Sequence, residues 1–160
     1  MKKYSEDEIR YKAEAYCSLA ERCISEVRTK LRQWGLSPEK EEDVLQYLQE
    51  EKYIDEQRYC IAFVRDKYRF NQWGRVKITQ ALRLKRVPNV YISQAMEEID
   101  AEEYLDSLME QLRCKYTSVK ARNDYERNGK LIRFAMGRGY EMDDIMFCLR
   151  KMGCGNEDSD

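Results

Sequence analysis

Val27-Arg28-Thr29-Lys30-Leu31-Arg32-Gln33-Trp34-Gly35-Leu36-Ser37-Pro38-Glu39 reads as the end of one helix, a tight turn and the start of another. Val27, Leu31 and Trp34 share one helical side, and Gly35 can take the left-handed conformation that ends a helix. Ser37, Pro38 and Glu39 follow as a cap, a proline at the first helical position and an acid in the first turn. The pattern is written three times. Leu31, Gly35, Leu36, Leu45 and Leu48 recur fifty-one positions later as Leu82, Arg86, Val87, Met96 and Ile99, and fifty-three positions further as Ala135, Gly139, Tyr140, Leu149 and Met152. A unit too small to bury its own apolar face must stack on its neighbours. The expected fold is therefore all-α, an elongated array of three tandem three-helix, helix-turn-helix-like repeats over 1–52, 53–100 and 101–152. A flexible acidic tail is expected over 153–160. Such an array offers a long surface, the shape of a binder more than of an enzyme with one deep pocket.

Around this stretch the helices follow from caps and periodicity. Ser5 with Glu6-Asp7-Glu8 opens the first, Ser25 is read as the cap of the second, and an amphipathic run covers Asp55 to Phe70. A fifth helix carries Val76, Ile78 and Leu82, a sixth spans Tyr91 to Ile99, and a seventh runs from Ala101 to Tyr116. The stretch 117–129 reads as an extension of the seventh followed by a loop, and the last pair is Lys130–Arg138 and Met142–Met152. No segment shows the alternation of a strand.

Composition excludes more than it selects. The chain has no histidine, no phosphate-binding glycine loop and no nucleophile motif, so no enzyme activity, cofactor, metal or small-molecule substrate is expected. The paired acids Glu102-Glu103 and Asp143-Asp144 open helices and are read as partners of the helix dipole. Cys17, Cys23, Cys60, Cys114 and Cys148 fall in apolar helical patterns and are read as small buried hydrophobes, with Cys154 in the tail. A charged fraction of 37% and a mean hydropathy of -0.84, with no apolar leader or spanning segment, point to a cytoplasmic protein that stays off membranes.

Net charge is -1, yet the charge is laid out in blocks that track the repeat. Ile61–Val90 carries Asp66 as its sole acid, and Arg113–Arg138 is again basic, while acids gather at Glu39–Asp43, Glu50–Glu56 and Glu97–Glu110. The cations recur on the first helix of each pair: Arg28, Lys30 and Arg32; Arg75, Lys77, Arg83, Lys85 and Arg86; Lys130, Arg133 and Arg138. Singly each reads as solvated surface. As a set they read as one surface able to meet phosphates or an acidic protein. Trp34 and Trp73 flank the turns, as core aromatics or as interface anchors.

The segment Ala15-Tyr16-Cys17-Ser18-Leu19-Ala20-Glu21-Arg22-Cys23-Ile24-Ser25-Glu26-Val27-Arg28-Thr29-Lys30-Leu31, then Trp34-Gly35-Leu36, resembles the opening of the RecX family. So does Leu48 to Phe63, read as L-x-x-x-x-Y-I-D-E-x-R-Y-x-x-x-F, followed by Trp73-Gly74 and Leu82-Arg83-Leu84-Lys85. Lys130-Leu131-Ile132-Arg133-Phe134 with Arg138-Gly139-Tyr140 is similar to that family's closing repeat. The chain departs from the commonest pattern at Tyr59-Cys60, where Phe-Ala is more usual, and at Arg86, where glycine is usual. The resemblance implies a non-enzymatic, monomeric regulator of the RecA recombinase in DNA repair, recombination and the SOS response. Such a regulator binds RecA and the groove of its DNA filament, inhibiting ATP turnover and strand exchange. The residues themselves also admit a direct DNA-binding protein, or an adaptor for another acidic protein. The near-zero net charge and acidic tail favour a protein partner over free DNA.

Overall fold

The computed structural model describes residues 3–154, and among these every regular element is a helix: α1 (Glu6–Leu19), α2 (Ile24–Gln33), α3 (Pro38–Glu50), α4 (Glu56–Arg69), α5 (Arg75–Leu84), α6 (Asn89–Met96), α7 (Ala101–Ser118), α8 (Asp124–Gly137) and α9 (Met142–Lys151). The tail expected from 153 onward lies, beyond Cys154, outside the described residues. No helix among those described is long and apolar enough to cross a membrane.

The repeated turn is one hydrogen-bonded motif made three times. After α2, Leu36 N–H donates to the Leu31 carbonyl and Gly35 N–H to Arg32. After α5, Val87 donates to Leu82 and Arg86 to Arg83; after α8, Tyr140 donates to Ala135 and Gly139 to Met136. This pairing consumes carbonyls that a helix end leaves without partners, and it needs a left-handed residue in the middle. Gly35, Arg86 and Gly139 have φ of 89°, 61° and 95°. Arg86 thus holds a conformation that an L side chain adopts at a cost of about 1 kcal/mol. The apolar residue after each turn, Leu36, Val87 or Tyr140, is buried over its helix.

The helices form two compact units. One comprises the residues up to Phe63 together with Ala81–Ala95; the other comprises Val64–Gln80 together with the residues from Met96 onward. α4 and α5 contribute to both. In the first unit Ile9, Ala13, Val27, Leu31, Leu45 and Leu48 form the core, with Trp34 and Tyr16 packed edge-on at its margin. In the second, Tyr104, Leu108 and Leu112 of α7 are buried, as are Leu131 and Ala135 of α8 and Ile145, Cys148 and Leu149 of α9.

Four local expectations are corrected, the burial of Cys114 among them. α2 is not capped by Ser25: Cys23 is the N-cap, and the Glu26 carboxylate accepts its N–H at 3.1 Å, while the Ser25 hydroxyl donates to the Lys85 carbonyl at 2.7 Å. α8 begins at Asp124, well before Lys130. The Asn123 side chain caps it by accepting the Glu126 N–H at 2.9 Å, and Asp124 and Glu126 supply acids to its first turn, which outweighs Gly129 inside the helix. α6 is earlier and shorter than Tyr91–Ile99, because the Pro88 carbonyl already accepts the Ile92 N–H. Among the cysteines, Cys114 is exposed on α7 while Cys17, Cys23, Cys60 and Cys148 are buried.

The second unit contains a backbone-to-backbone joint. Gly74 N–H donates to the Arg138 carbonyl at 2.7 Å and Val76 N–H to Gly139 at 2.9 Å, so the α8 turn satisfies the first amides of α5. A Cβ on Gly74 would lie 2.4 Å from the Gly139 carbonyl carbon, and one on Gly139 would lie 2.3 Å from Lys77 Cβ. The first unit has the counterpart: Ser25, at the start of α2, donates to Lys85 in the turn that ends α5. Gly139→Ala is expected to cost roughly 3 kcal/mol or more in urea unfolding, from left-handed strain plus overpacking. Gly35→Ala, whose Cβ meets nothing within 4 Å, is expected to cost about 1–2 kcal/mol, the strain alone. Arg86→Gly is expected to stabilise by about 0.5–1 kcal/mol.

Candidate functional site

The sequence nominates a cationic surface, and the structure sorts its members by what already holds them. In the first unit, Glu41 sits on the buried face of α3, its side chain 6% exposed. It draws both α2 arginines: Arg32 Nε donates to Glu41 Oε2 at 2.9 Å, and Arg28 Nη1 to Glu41 Oε1 at 3.1 Å and Glu42 Oε1 at 2.6 Å. The Arg32 guanidinium, with Arg28, holds the Glu41 carboxyl below its ordinary range. Arg28 and Arg32 are therefore structural ion-pair partners first. Lys30 lies 5.4 Å from the Tyr16 ring centre. Trp34 is half-buried with Lys12 over its ring.

At the end of α5 in the same unit, Lys85 pairs with Glu26 at 3.1 Å. Arg83 and Arg86 are exposed, and no carboxylate lies within ion-pair distance of either among the described residues. Exposed Leu84 stands between them in sequence. Nearby, Glu56 at the head of α4 accepts the Ile24 N–H at 2.9 Å, giving α2 its remaining cap. Burial pushes the Glu56 carboxyl up, against that hydrogen bond.

The second unit divides its cations likewise. Arg75 is half-buried in a network: its N–H donates to Tyr104 Oη at 2.9 Å, its guanidinium lies 4.0 Å from the Tyr104 ring centre and meets Glu141 at 3.2 Å, and Tyr104 Oη donates a short bond to Glu141. Burial, then the Glu141 carboxylate, raises the Tyr104 hydroxyl and keeps it a neutral donor. Beside it Tyr140 Oη donates to the Gln72 carbonyl at 3.1 Å and accepts from Gln111 at 2.7 Å. Arg75 is thereby committed to positioning α5. Lys77 lies over the Trp73 ring at 4.6 Å, so this half-buried tryptophan is covered by lysine stems. Arg138 stacks over Phe134 at 5.1 Å, and Lys130 pairs with Glu126 at 3.5 Å. Arg133 is exposed with no carboxylate within ion-pair distance among the described residues.

The sequence reading passed over Glu41, Tyr104 and Glu141, which decide which cations are occupied. A signal existed for the first: Glu41 falls on the stripe of Val44, Leu45 and Leu48, and a carboxylate on a core face calls for cationic partners. Tyr104 and Glu141 are far apart in sequence and meet only through packing.

Two RecX family models match successive parts of the chain: "RecX, second three-helix domain" over residues 55–96 and "RecX, third three-helix domain" over residues 102–149. The regulatory protein RecX of Vibrio parahaemolyticus is 30% identical over 126 residues, a match covering 79% of this chain and 79% of that protein. The chain belongs to the RecX family. The regulatory protein RecX of Lactobacillus johnsonii is 31% identical over 97 residues, covering 61% of this chain and 36% of that protein. The chain spans less than two thirds of the length of several curated relatives it matches. A crystal structure of regulatory protein RecX superposes with a TM-score of 0.81 at 20% identity, over 90% of this chain and 74% of that one, which establishes a shared fold. The RecX stretches at Trp73-Gly74 and Arg138-Gly139-Tyr140 are the two sides of the backbone joint.

Two glutamates with shifted carboxyls bracket α2, with opposite sign. Glu41, lowered in the fold, contributes stability that is complete above about pH 5 and is lost as pH falls through its lowered value. Glu56, raised in the fold, favours the folded state while protonated, and that contribution is lost as pH rises through its raised value. Glu41→Gln is expected to lower stability at neutral pH and flatten the acid decline; Glu56→Gln is expected to spare neutral stability. Urea unfolding between pH 3 and 7 reads both.

Proposed function

We propose that this RecX-family chain is a non-enzymatic regulator of the RecA recombinase, binding RecA and the DNA held in its filament and inhibiting ATP turnover and strand exchange. The three repeats, taken as 1–52, 53–100 and 101–152, act as one monomeric binding array in the cytoplasm. The observation that carries the reading is that, among the cations nominated by the sequence, the guanidinium groups of Arg83 near the end of α5, Arg86 in the turn after it and Arg133 on α8 are exposed and have no ion-pair partner among the described residues. A guanidinium offers paired donors to a phosphate or carboxylate, and one already held by a buried glutamate does not. Lys30, Lys77 and Arg138, stacked on rings, supply further charge. Arg28, Arg32, Arg75 and Lys85 act on this surface through the elements they position.

A second reading, direct binding of duplex or single-stranded DNA, draws on the same cations and on the helix-turn-helix-like repeats. The two differ in stoichiometry and salt response. A RecA-filament modulator acts far below one molecule per RecA, whereas a free-DNA binder acts only when it coats the lattice, with steep salt dependence.

In RecA-dependent ATP hydrolysis on single-stranded DNA, substoichiometric inhibition is expected from the unaltered chain. Arg83→Glu with Arg86→Glu is expected to raise the half-inhibiting concentration about tenfold or more, through charge reversal at a contact, with little change in folding stability. Arg75→Glu is expected to lose inhibition together with stability, because Glu141 loses its cation. Full potency in the Arg83/Arg86 variant refutes the assignment of these residues. Inhibition appearing only at DNA saturation, and abolished by moderate salt, moves the free-DNA reading ahead.

A further inference from the structure

Between the last turn of α7 and the middle of α8, within the second unit, lies an open cavity of about 520 Å³. Lys115 and Lys120 line it from the α7 side and Lys130 and Arg133 from α8, with Phe134 among them and no acidic residue. The sequence that builds it is basic throughout: from Arg113 to Arg138 the acids are Asp124 and Glu126 alone. Both are engaged at the start of α8, Asp124 with Arg127 at 2.7 Å, and Glu126 with Arg122 at 2.8 Å and Lys130 at 3.5 Å. Lys115, Lys120 and Arg133 have no carboxylate within ion-pair distance among the described residues.

The frame that carries these cations is fixed by the fold. Lys115 Nζ stands 5.2 Å from the Phe134 ring centre. Val119 N–H donates to the Lys115 carbonyl at 2.9 Å, and Lys130 Nζ donates to the Lys120 carbonyl at 2.5 Å. The link from α7 to α8 is thus tied to both helices. A site whose charges are already positioned loses less freedom when it is filled.

A helix C-terminus favours a cation, which accounts for Lys115 in the last turn of α7. It does not account for Lys120 beyond that helix, nor for Lys130 and Arg133 from within α8. Four cations around one concavity, with Glu126 as their nearest compensation, make a field that concentrates anions. A carboxylate brings one charge on each side chain. Consecutive phosphates bring a charge on every group, with several acceptor oxygens in a small volume. Lysine meets them as a point charge, and the arginine fork meets two oxygens at once.

We propose that the α7–α8 cavity binds consecutive phosphate groups, as carried by a nucleoside polyphosphate or by a nucleic-acid strand, on Lys115, Lys120, Lys130 and Arg133. The site shares Arg133 with the RecA reading and otherwise goes beyond it. Its test contains no RecA, so either can fail alone.

The test is amide NMR of the full chain titrated at low salt with inorganic triphosphate, read at Val119, Lys120 and Phe134. Saturable shifts at these amides are expected. Lys115→Gln/Lys120→Gln, which leaves Lys130 and Arg133 in place, is expected to weaken the affinity about tenfold or more. Arg83→Gln/Arg86→Gln removes the same charge from the first unit and is expected to leave the affinity unchanged. Equal weakening by the two double variants means attraction by overall charge alone and overturns the site, as do shifts that do not saturate or that miss these amides. With triphosphate bound as expected, a short oligothymidine that shifts the same amides and is displaced by triphosphate identifies a nucleic-acid strand as the source of the phosphates. An oligothymidine without effect identifies the free polyphosphate.

Discussion

A helix start has amides without acceptors, a helix end has carbonyls without donors, and in this chain one is set against the other. The left-handed turn after α8 presents the Arg138 and Gly139 carbonyls to the Gly74 and Val76 amides. The turn after α5 presents the Lys85 carbonyl to the Ser25 hydroxyl at the head of α2. Side chains from the following long helix complete each joint: Tyr104 takes the Arg75 amide in one, and Glu56 the Ile24 amide in the other. Everything else about the repeat follows from the need for these groups to touch. Gly74 and Gly139 are glycine because their backbones leave no room for a Cβ. The residue after each turn is apolar because the turn closes over its own helix.

The same geometry explains why cations recur on the first helix of each pair. Arg32, Arg83 and Arg138 sit at or next to a helix C-terminus, where the dipole and free carbonyls favour positive charge whatever the function. Some of this charge is then spent internally, Arg28 and Arg32 on Glu41, Arg75 on Glu141, Lys85 on Glu26. A cationic pattern in a helical repeat is thus partly a folding device. Of the exposed arginines on these helices and the turns that end them, Arg83, Arg86 and Arg133 have no ion-pair partner among the described residues. Arg86 is unusual in this company, since it takes on left-handed strain where Gly35 and Gly139 avoid it, and it sets an exposed guanidinium at the turn.

Helix α8 shows how a repeat varies at the end of the described array. Its counterpart α5 has its first amides satisfied from α7 and the α8 turn, and α2 adds Glu56 of α4 to its local Cys23–Glu26 cap, whereas α8 is lengthened at its start and capped by Asn123. Here local hydrogen bonds replace those that other helices supply to α5. That extra turn also forms one wall of an open groove between α8 and α9.

The sequence by itself determined the helical class, the three-fold repeat and the positions of the turns. These depend on local rules: apolar spacing, caps, and a residue tolerant of positive φ at the helix end. It also carried the family, because the resembling stretches are continuous in the chain. Where two local signals competed it went astray, preferring Ser25 to Cys23 as a cap and letting Gly129 conceal the start of α8. Only the tertiary structure decided which charges are occupied and why two glycines are required. Glu41 reaches Arg28 and Arg32 across two helices, Tyr104 reaches Arg75 and Glu141 from a third, and Gly74 meets Gly139 from sixty-five positions away. Contacts of that separation are set by how helices pack, and the period of the sequence does not encode which carboxylate a packed helix will bring to which guanidinium.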